Sequence, residues 1–233
     1  MFSNSILATT PKRPYRVAIV EDHTLVRDGF RSLIQTMPDF EFAWWAGSVA
    51  DALSNLESDL PDLLTTDISL PDGSGLEVVK AAVAHTPSLN ILVMSIHDEN
   101  LFAQRALKAG AKGYLMKTAP QDDIEEALRK VAAGRIAVSS EMSEMMVMAM
   151  SGTSRAKPHT QLQNLSTREF EIFQLIGEGL SSHHIGKNLD ISPKTVDVHK
   201  MNIRKKLKLD ENTTLTAYAI RWSETQRLSV SHF

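Results

Sequence analysis

LLTTDISLPDGSG, residues 63–75, opens with a short apolar and β-branched run that closes on Asp67. A helix-length segment follows, Leu76 to Ala84, with apolar residues at three- and four-residue spacings. The same unit recurs on both sides. RVAIV (16–20), FEFAWWA (40–46), NILVMS (90–95) and KGYLMK (112–117) read as strands. Leu25 to Met37, Ser48 to Leu56, Leu101 to Ala109 and Ile124 to Ala133 read as the intervening helices, and Gly110 and Gly134 stand where two of them should stop. Strict alternation of strand and helix predicts an α/β doubly wound (βα)5 unit, a parallel five-stranded sheet with helices on both faces. In such a sheet the functional crevice lies beyond the C-terminal strand ends.

That rule selects residues. The predicted strands end at Glu21-Asp22, Asp67, Ser95 and Lys117. Any one of these is readily read as a solvated or capping residue, since strand ends are exposed. Three carboxylates, a hydroxyl and an ammonium on four strand ends form a set that chance rarely supplies. Glu21, Asp22 and Asp67 would repel one another unless a cation lies among them, and carboxylate oxygens without His or Cys suit a hard ion, Mg²⁺ with several retained waters above all. Such a cluster handles phosphoryl groups: the ion bridges phosphoryl oxygens, Lys117 offsets their charge, one carboxylate attacks phosphorus, and Ser95 hydrogen-bonds the new oxygens. No P-loop is present, so a nucleotide substrate is not indicated.

The first ~135 residues resemble a response-regulator receiver domain, through Glu21-Asp22, the segment Asp67 to Gly75, Ser95, and Lys117 in KGYLMK. The resemblance implies that Asp67 is the phosphoacceptor and that Asp22, directly, and Glu21 hold Mg²⁺ with Asp67 and the backbone carbonyl of Ser69. It makes Ser95 and Tyr114 the switch pair, in which phosphorylation draws Ser95 toward Asp67 and the Tyr114 ring fills the vacated space; the alternative for Tyr114 is an aromatic that simply packs. Glu21 and Ser95 stand where Asp and Thr are commoner in the family, and both are chemically equivalent. His97 reads as loop surface. Trp44 and Trp45 alternate across the second strand, so at least one should be core.

The 233 residues are 42% hydrophobic and 23% charged, an ordinary globular composition. Zero cysteines exclude a disulfide framework, a thiolate metal site and a cysteine nucleophile. No apolar run approaches the roughly 20 residues of a membrane span, and the start is a poor signal peptide, so a cytoplasmic protein without a membrane partner is expected. The net charge of −3 hides a division. Residues 1–135 carry 13 basic and 18 acidic residues, whereas residues 166–233 carry 10 and 8. Within Lys194–Lys208 six basic residues accompany one acid, Asp197. Two modules with different partners are expected: residues 15–137 as the receiver unit and 165–233 as a second domain, after a disordered stretch at 1–14. Residues 138–164 read as a connector, with the Met-rich helix EMSEMMVMAM ahead of a small, polar, Pro-containing linker. The Met-rich helix packs on one of the domains or forms a dimer surface.

The second module reads as a separate all-α four-helix unit with a helix-turn-helix. Ser166-Thr-Arg-Glu169 has capping-box spacing, and its helix should end near Gly177–Gly179. Ser182 is expected to cap a short helix, Asp190-Ile191 to form a turn, and Ser192 with Pro193 to start a third helix. His183-His184 suggest a metal pair, but no third ligand is evident. On the third helix Val196, Ile203 and Leu207 fall within a roughly 40° arc at 100° per residue. Lys194, Val198, Met201 and Lys205 lie opposite, with Asp197 and Asn202 at the margins, a mixture suited to a major groove. A solvated basic face is the plainer reading. The segment LSTREFEIFQLIGEGLSSHHIGKNLDISPKTVDVHKMNIRKKLKL is similar to the LuxR-type DNA-binding domain of NarL/FixJ-family regulators. By that resemblance Asp197, Val198 and Met201 face bases. Family members often carry a basic residue where Asp197 and Met201 stand, which leaves the preferred sequence open, and an aspartate can accept from a cytosine amino group. Lys194, His199, Lys200, Asn202 and Lys205 contact phosphate or backbone. A last helix near Thr214–Trp222 serves core and dimer contact.

Together these imply a two-component response regulator, not an enzyme. A sensor histidine kinase phosphorylates it on Asp67, and it acts as a homodimer on double-stranded DNA beside RNA polymerase. A Mg²⁺-dependent phosphohydrolase is the rival, weakened because Ser69 stands where a second Asp is wanted. A regulator that binds DNA without phosphorylation is the third reading.

Overall fold

The structure is a computed structural model that describes residues 13–96, 99–150, 162, 164–210 and 213–230. The expectations for residues 1–12, His97 and most of the polar linker fall outside the described residues. The chain divides into two compact units at residue 153.

In the first unit all five apolar runs are strands: β1 (Tyr15–Val20), β2 (Phe40–Ala46), β3 (Leu63–Thr66), β6 (Asn90–Ser95) and β7 (Gly113–Met116). They form one parallel sheet in the order β2-β1-β3-β6-β7. The helices α1 (Thr24–Thr36), α2 (Val49–Ser58), α3 (Gly75–His85), α4 (Glu99–Ala109) and α5 (Gln121–Ala132) alternate with them. Gly110 and Gly134 take positive φ, 111° and 74°, just past α4 and α5, a helix-ending conformation that glycine adopts without a Cβ penalty. One face of the sheet buries Val17, Ile19, Leu63, Leu92 and Met94 against Phe30 and Ile34 of α1 and Leu128 and Val131 of α5. The chain reverses direction across the sheet between β1 and β3, the switch point at which doubly wound sheets open a crevice.

Two features depart from the sequence expectations. Ser69–Leu70 (β4) and Gly73–Ser74 (β5) make a small antiparallel hairpin; two residues per strand leave no periodicity to read. Neither tryptophan is core: Trp44 is half-buried and Trp45 is 41% exposed. The β1–β2 register slips between Val17↔Phe42 and Ile19↔Trp45, so β2 carries an extra residue and the alternation breaks. Both indoles still find acceptors, Trp44 on the Asp59 carbonyl (2.7 Å) and Trp45 on that of Glu21 (2.8 Å).

The Met-rich helix, α6 (Ser140–Met150), packs on the first unit. Met142 is buried, α6 lies against α4, and the Ser139 N–H donates to Glu99 Oε1 (2.9 Å).

The second unit holds α7 (Thr167–Gly177), α8 (Ser182–Asn188), α9 (Pro193–Lys206) and α10 (Leu215–Val230). The capping box at Ser166 and Glu169 forms as expected. Ser192 caps α9, accepting from the Thr195 N–H, with Pro193 in the first turn. Ser181 rather than Ser182 caps α8: its Oγ accepts from the His184 N–H. A capping hydroxyl accepts from two or three residues on, and of the tandem serines Ser181 is the one outside the helix. Phe170, Phe173, Ile176, Ile185, Val196, Ile203 and Leu207 are buried. Trp222 meets Phe170 edge-on at 5.5 Å.

Candidate functional site: an acidic pocket and a reading helix

The ends of β1, β3 and β7 meet at the switch point. The Asp67 N–H donates to the Val20 carbonyl (2.9 Å) and the Lys117 N–H to the Ser95 carbonyl (2.8 Å), so the sheet ladder itself sets these side chains side by side. Glu21 and Asp67 are each 4% exposed. The Lys117 ammonium lies between them, 2.7 Å from Asp67 Oδ2 and 2.5 Å from Glu21 Oε2. Burial works against that ammonium. The Coulombic pull of Asp67 and hydrogen bonds to Asp67 and Glu21 outweigh it and hold the Lys117 pKa above that of a free lysine. The other Asp67 oxygen accepts from the Ile68 N–H at 2.6 Å.

Asp22 is more open, and the sequence reading missed its neighbour. His23 sets Nδ1 2.8 Å from Asp22 Oδ1 and 3.2 Å from Glu21 Oε1. Glu21, Asp22, His23 and Asp67 each place one ligand atom within 4.8 Å of the others. The three carboxylates fit a hard divalent ion, with the open Asp22 edge leaving room for retained water; the His23 imidazole, a softer donor, departs from the all-oxygen set expected from the sequence. A small cavity beside the cluster is lined by Val20, Phe30, Thr66, Asp67, Met94 and Lys117.

Ser95 and Tyr114 are wholly buried. Tyr114 pairs in register with Val93, two residues before Ser95, so the two side chains share a sheet face. Ser69 stands in the hairpin directly after Asp67. Two further residues went unassigned in the sequence. A Cβ on Gly75 would stand 1.7 Å from the Asp67 carbonyl oxygen, so only glycine lets α3 start against the aspartate. Asp72 accepts from the Val49 and Ala50 N–H groups (2.7 and 2.9 Å) and thereby caps α2 across space. Burial alone would raise the Asp72 carboxyl, but those two N–H groups hold it below the usual carboxylate range.

In the second unit, α9 buries Val196 and Ile203, with Leu207 buried at its C-cap, and exposes Lys194, Asp197, Val198, Met201 and Lys205. Asn202, Lys200 and His199 are half-buried. Among the described residues the buried Nδ1 of His199 has no hydrogen-bond partner. Glu169 is buried at the foot of α9, where Lys206 Nζ lies 2.6 Å away. Burial pushes its carboxyl up, but the Lys206 ammonium and the Ser166 N–H hold it below the ordinary glutamate value. His183 and His184 are exposed with rings 5.8 Å apart, and His184 Nδ1 sits 2.9 Å from Ser181 Oγ.

Residues 17–129 match the response regulator receiver domain, and residues 163–219 match the luxR family of bacterial regulatory proteins. The oxygen regulatory protein NreC of Staphylococcus carnosus (strain TM300) is 31% identical over 210 residues, covering 88% of this chain and 97% of that protein. The chain belongs to the NarL/FixJ family of response regulators. The response regulator UvrY of Escherichia coli (strain K12) is 30% identical over 205 residues, covering 88% of this chain and 93% of that one. Among solved structures, a LuxR-family two-component response regulator from Aurantimonas sp. SI85-9A1 is 28% identical with a TM-score of 0.55, covering 59% of this chain and 99% of that one. The receiver match falls on the sheet unit and the luxR match on the helical unit described above. No described helix is long and apolar enough to cross a membrane.

Proposed function

We propose that Asp67 of this response regulator accepts a phosphoryl group from the phosphohistidine of a sensor histidine kinase. The observation that carries this is the Lys117 ammonium bridging buried Glu21 and Asp67, with Asp22 and His23 completing one cluster. Glu21, Asp22, Asp67 and the Ser69 carbonyl are the residues that would hold Mg²⁺. When bound, the ion would draw off the charge that gathers on the phosphoryl oxygens. A carboxylate oxygen of Asp67 attacks phosphorus, the P–N bond breaks, and the electron pair leaves with the imidazole, which takes up a proton. Lys117 then pairs with the acyl phosphate, and Ser95 donates to a phosphoryl oxygen. Tyr114, on the same sheet face, responds to the displaced hydroxyl and carries the change to α4 and β7.

The output is sequence-specific binding of double-stranded DNA by a homodimer through α9, acting in the cytoplasm on RNA polymerase. In support, the exposed face of α9 mixes Lys194 and Lys205 with Val198 and Met201, cations for phosphate beside apolar groups for base edges. Membership of a regulator family favours this over the phosphohydrolase.

Acetyl phosphate with Mg²⁺ should add one phosphoryl group to the chain, seen in the intact mass, and Asp67→Asn should abolish it. Undiminished labelling of that variant would overturn the assignment. Equal DNA affinity before and after phosphorylation would point to the phosphorylation-independent reading instead.

A further inference from the structure

We infer that Ser182 is a positioning residue that presets the Asp197 carboxylate of α9 as a reader of cytosine in the major groove. The inference rests on the DNA-binding reading above and names how part of that surface selects sequence. Three groups on two helices form a chain. Lys200 Nζ donates to Ser182 Oγ at 2.7 Å, and Ser182 Oγ donates to Asp197 Oδ1 at 2.7 Å. The direction of both bonds is forced. An ammonium can only donate, an ionised carboxylate can only accept, and a hydroxyl has one proton and two lone pairs. Ser182 is not occupied as a helix cap, since Ser181 fills that role for α8.

The arrangement has three consequences for the reading face. First, Asp197 precedes Val198 and lies one helical turn from Met201, which are 46% and 52% exposed. Its carboxylate therefore belongs to the open side of α9, held at one oxygen and free to accept at the other. Second, fixing the side chain before DNA arrives removes an ordering cost that binding would otherwise carry. Third, a bare carboxylate would be driven off by the phosphates of the duplex. The Lys200 ammonium, two hydrogen bonds away, offsets that charge well within a screening length of about 8 Å.

An acceptor-only group discriminates among base edges. Guanine shows N7 and O6 acceptors, thymine an O4 acceptor and a methyl group, and adenine sets its N6 donor beside the N7 acceptor. Cytosine alone offers the N4 donor with no acceptor on its own edge. The half-site should therefore contain one C·G pair fixed by Asp197, with the strength of that preference depending on Ser182.

The test uses the full-length protein treated with acetyl phosphate and Mg²⁺. It selects duplexes from a library of random sequence, and the selected duplex and its single-base variants are then titrated by fluorescence anisotropy. Wild type should show one cytosine whose replacement weakens binding about tenfold. Asp197→Ala should flatten the preference at that position and leave the others. Ser182→Ala should reduce it about fivefold, leave the salt dependence unchanged, and be rescued by Ser182→Thr. Full discrimination in Ser182→Ala, or an equal loss on every duplex, would overturn the positioning role and leave a plain tie between helices. Retention of the cytosine preference in Asp197→Ala would overturn the base assignment while DNA binding stands. No enriched sequence with wild type would overturn the DNA-binding reading itself and this inference with it.

Discussion

Lys117→Met tests the electrostatics of the acidic pocket without relying on phosphorylation. The substitution removes an ammonium that lies within 2.5–2.7 Å of two carboxylates, where all three side chains are 8% exposed or less. Methionine replaces the aliphatic stem, so packing loss is small and the main effect is two stranded charges. Removing one partner of a buried ion pair costs about 3–5 kcal/mol. For a unit of this size each kcal/mol lowers the melting temperature by about 3–5 °C, so calorimetry of the full chain at pH 7 without divalent ions should show the receiver transition about 10–20 °C lower.

The pH dependence gives a second, independent reading. The Lys117 pKa is raised in the folded state, so its contribution is fully present below the ordinary lysine value of about 10.4 and is lost only as pH climbs through the folded value. At pH 7 wild type has all of it, so the gap to the variant is fully open there and should shrink as pH climbs through the raised Lys117 value. A melting temperature within a few degrees of wild type at pH 7, or a gap that stays unchanged as pH climbs past the lysine range, would refute the reasoning.

Gly75→Ala forces a methyl group against the Asp67 carbonyl; it should cost about 1–3 kcal/mol in urea unfolding and cut acetyl-phosphate labelling at least about tenfold. Asp72→Ala removes the acceptor for two N–H groups of α2 and should cost about 1 kcal/mol. Because the Asp72 pKa is lowered on folding, its contribution is present above the unfolded carboxylate value and disappears as pH falls through the folded one, so wild type and variant should converge in acid denaturation curves. Lys194→Ala should weaken binding to all duplexes alike and reduce the log–log salt slope by about 1, as measured by anisotropy across salt concentrations.

The strands were legible because their apolar runs and their ends are properties of covalent order. β2 and β6 run over the residues read for them, and β3 ends one residue early, at Thr66, with the Asp67 N–H still donating to the Val20 carbonyl. Glu21, Asp22, Asp67 and Lys117 could be found for the same reason: each closes a run, and the topology carries the closed ends to one edge. What stayed hidden depends on contacts between elements far apart in sequence. Nothing in SVAD or LPDGS shows that Asp72 reaches back 22 and 23 residues to cap α2. Nothing in SSHH shows that Ser182 touches Asp197, 15 residues on. His23 was overlooked although it adjoins the acidic pair, because an exposed ring is free to turn either way and only the packed backbone shows that it turns toward the carboxylates. Asp72 and Ser182 share a signature. Each is a short polar side chain whose partner is a backbone N–H or a carboxylate on another element, and its value is geometric rather than apolar. Periodicity, which reports burial, is blind to them. It follows that substitutions at Asp72, Gly75 and Ser182 should alter the geometry of capping, phosphoacceptance and base reading while leaving the helix and strand pattern unchanged.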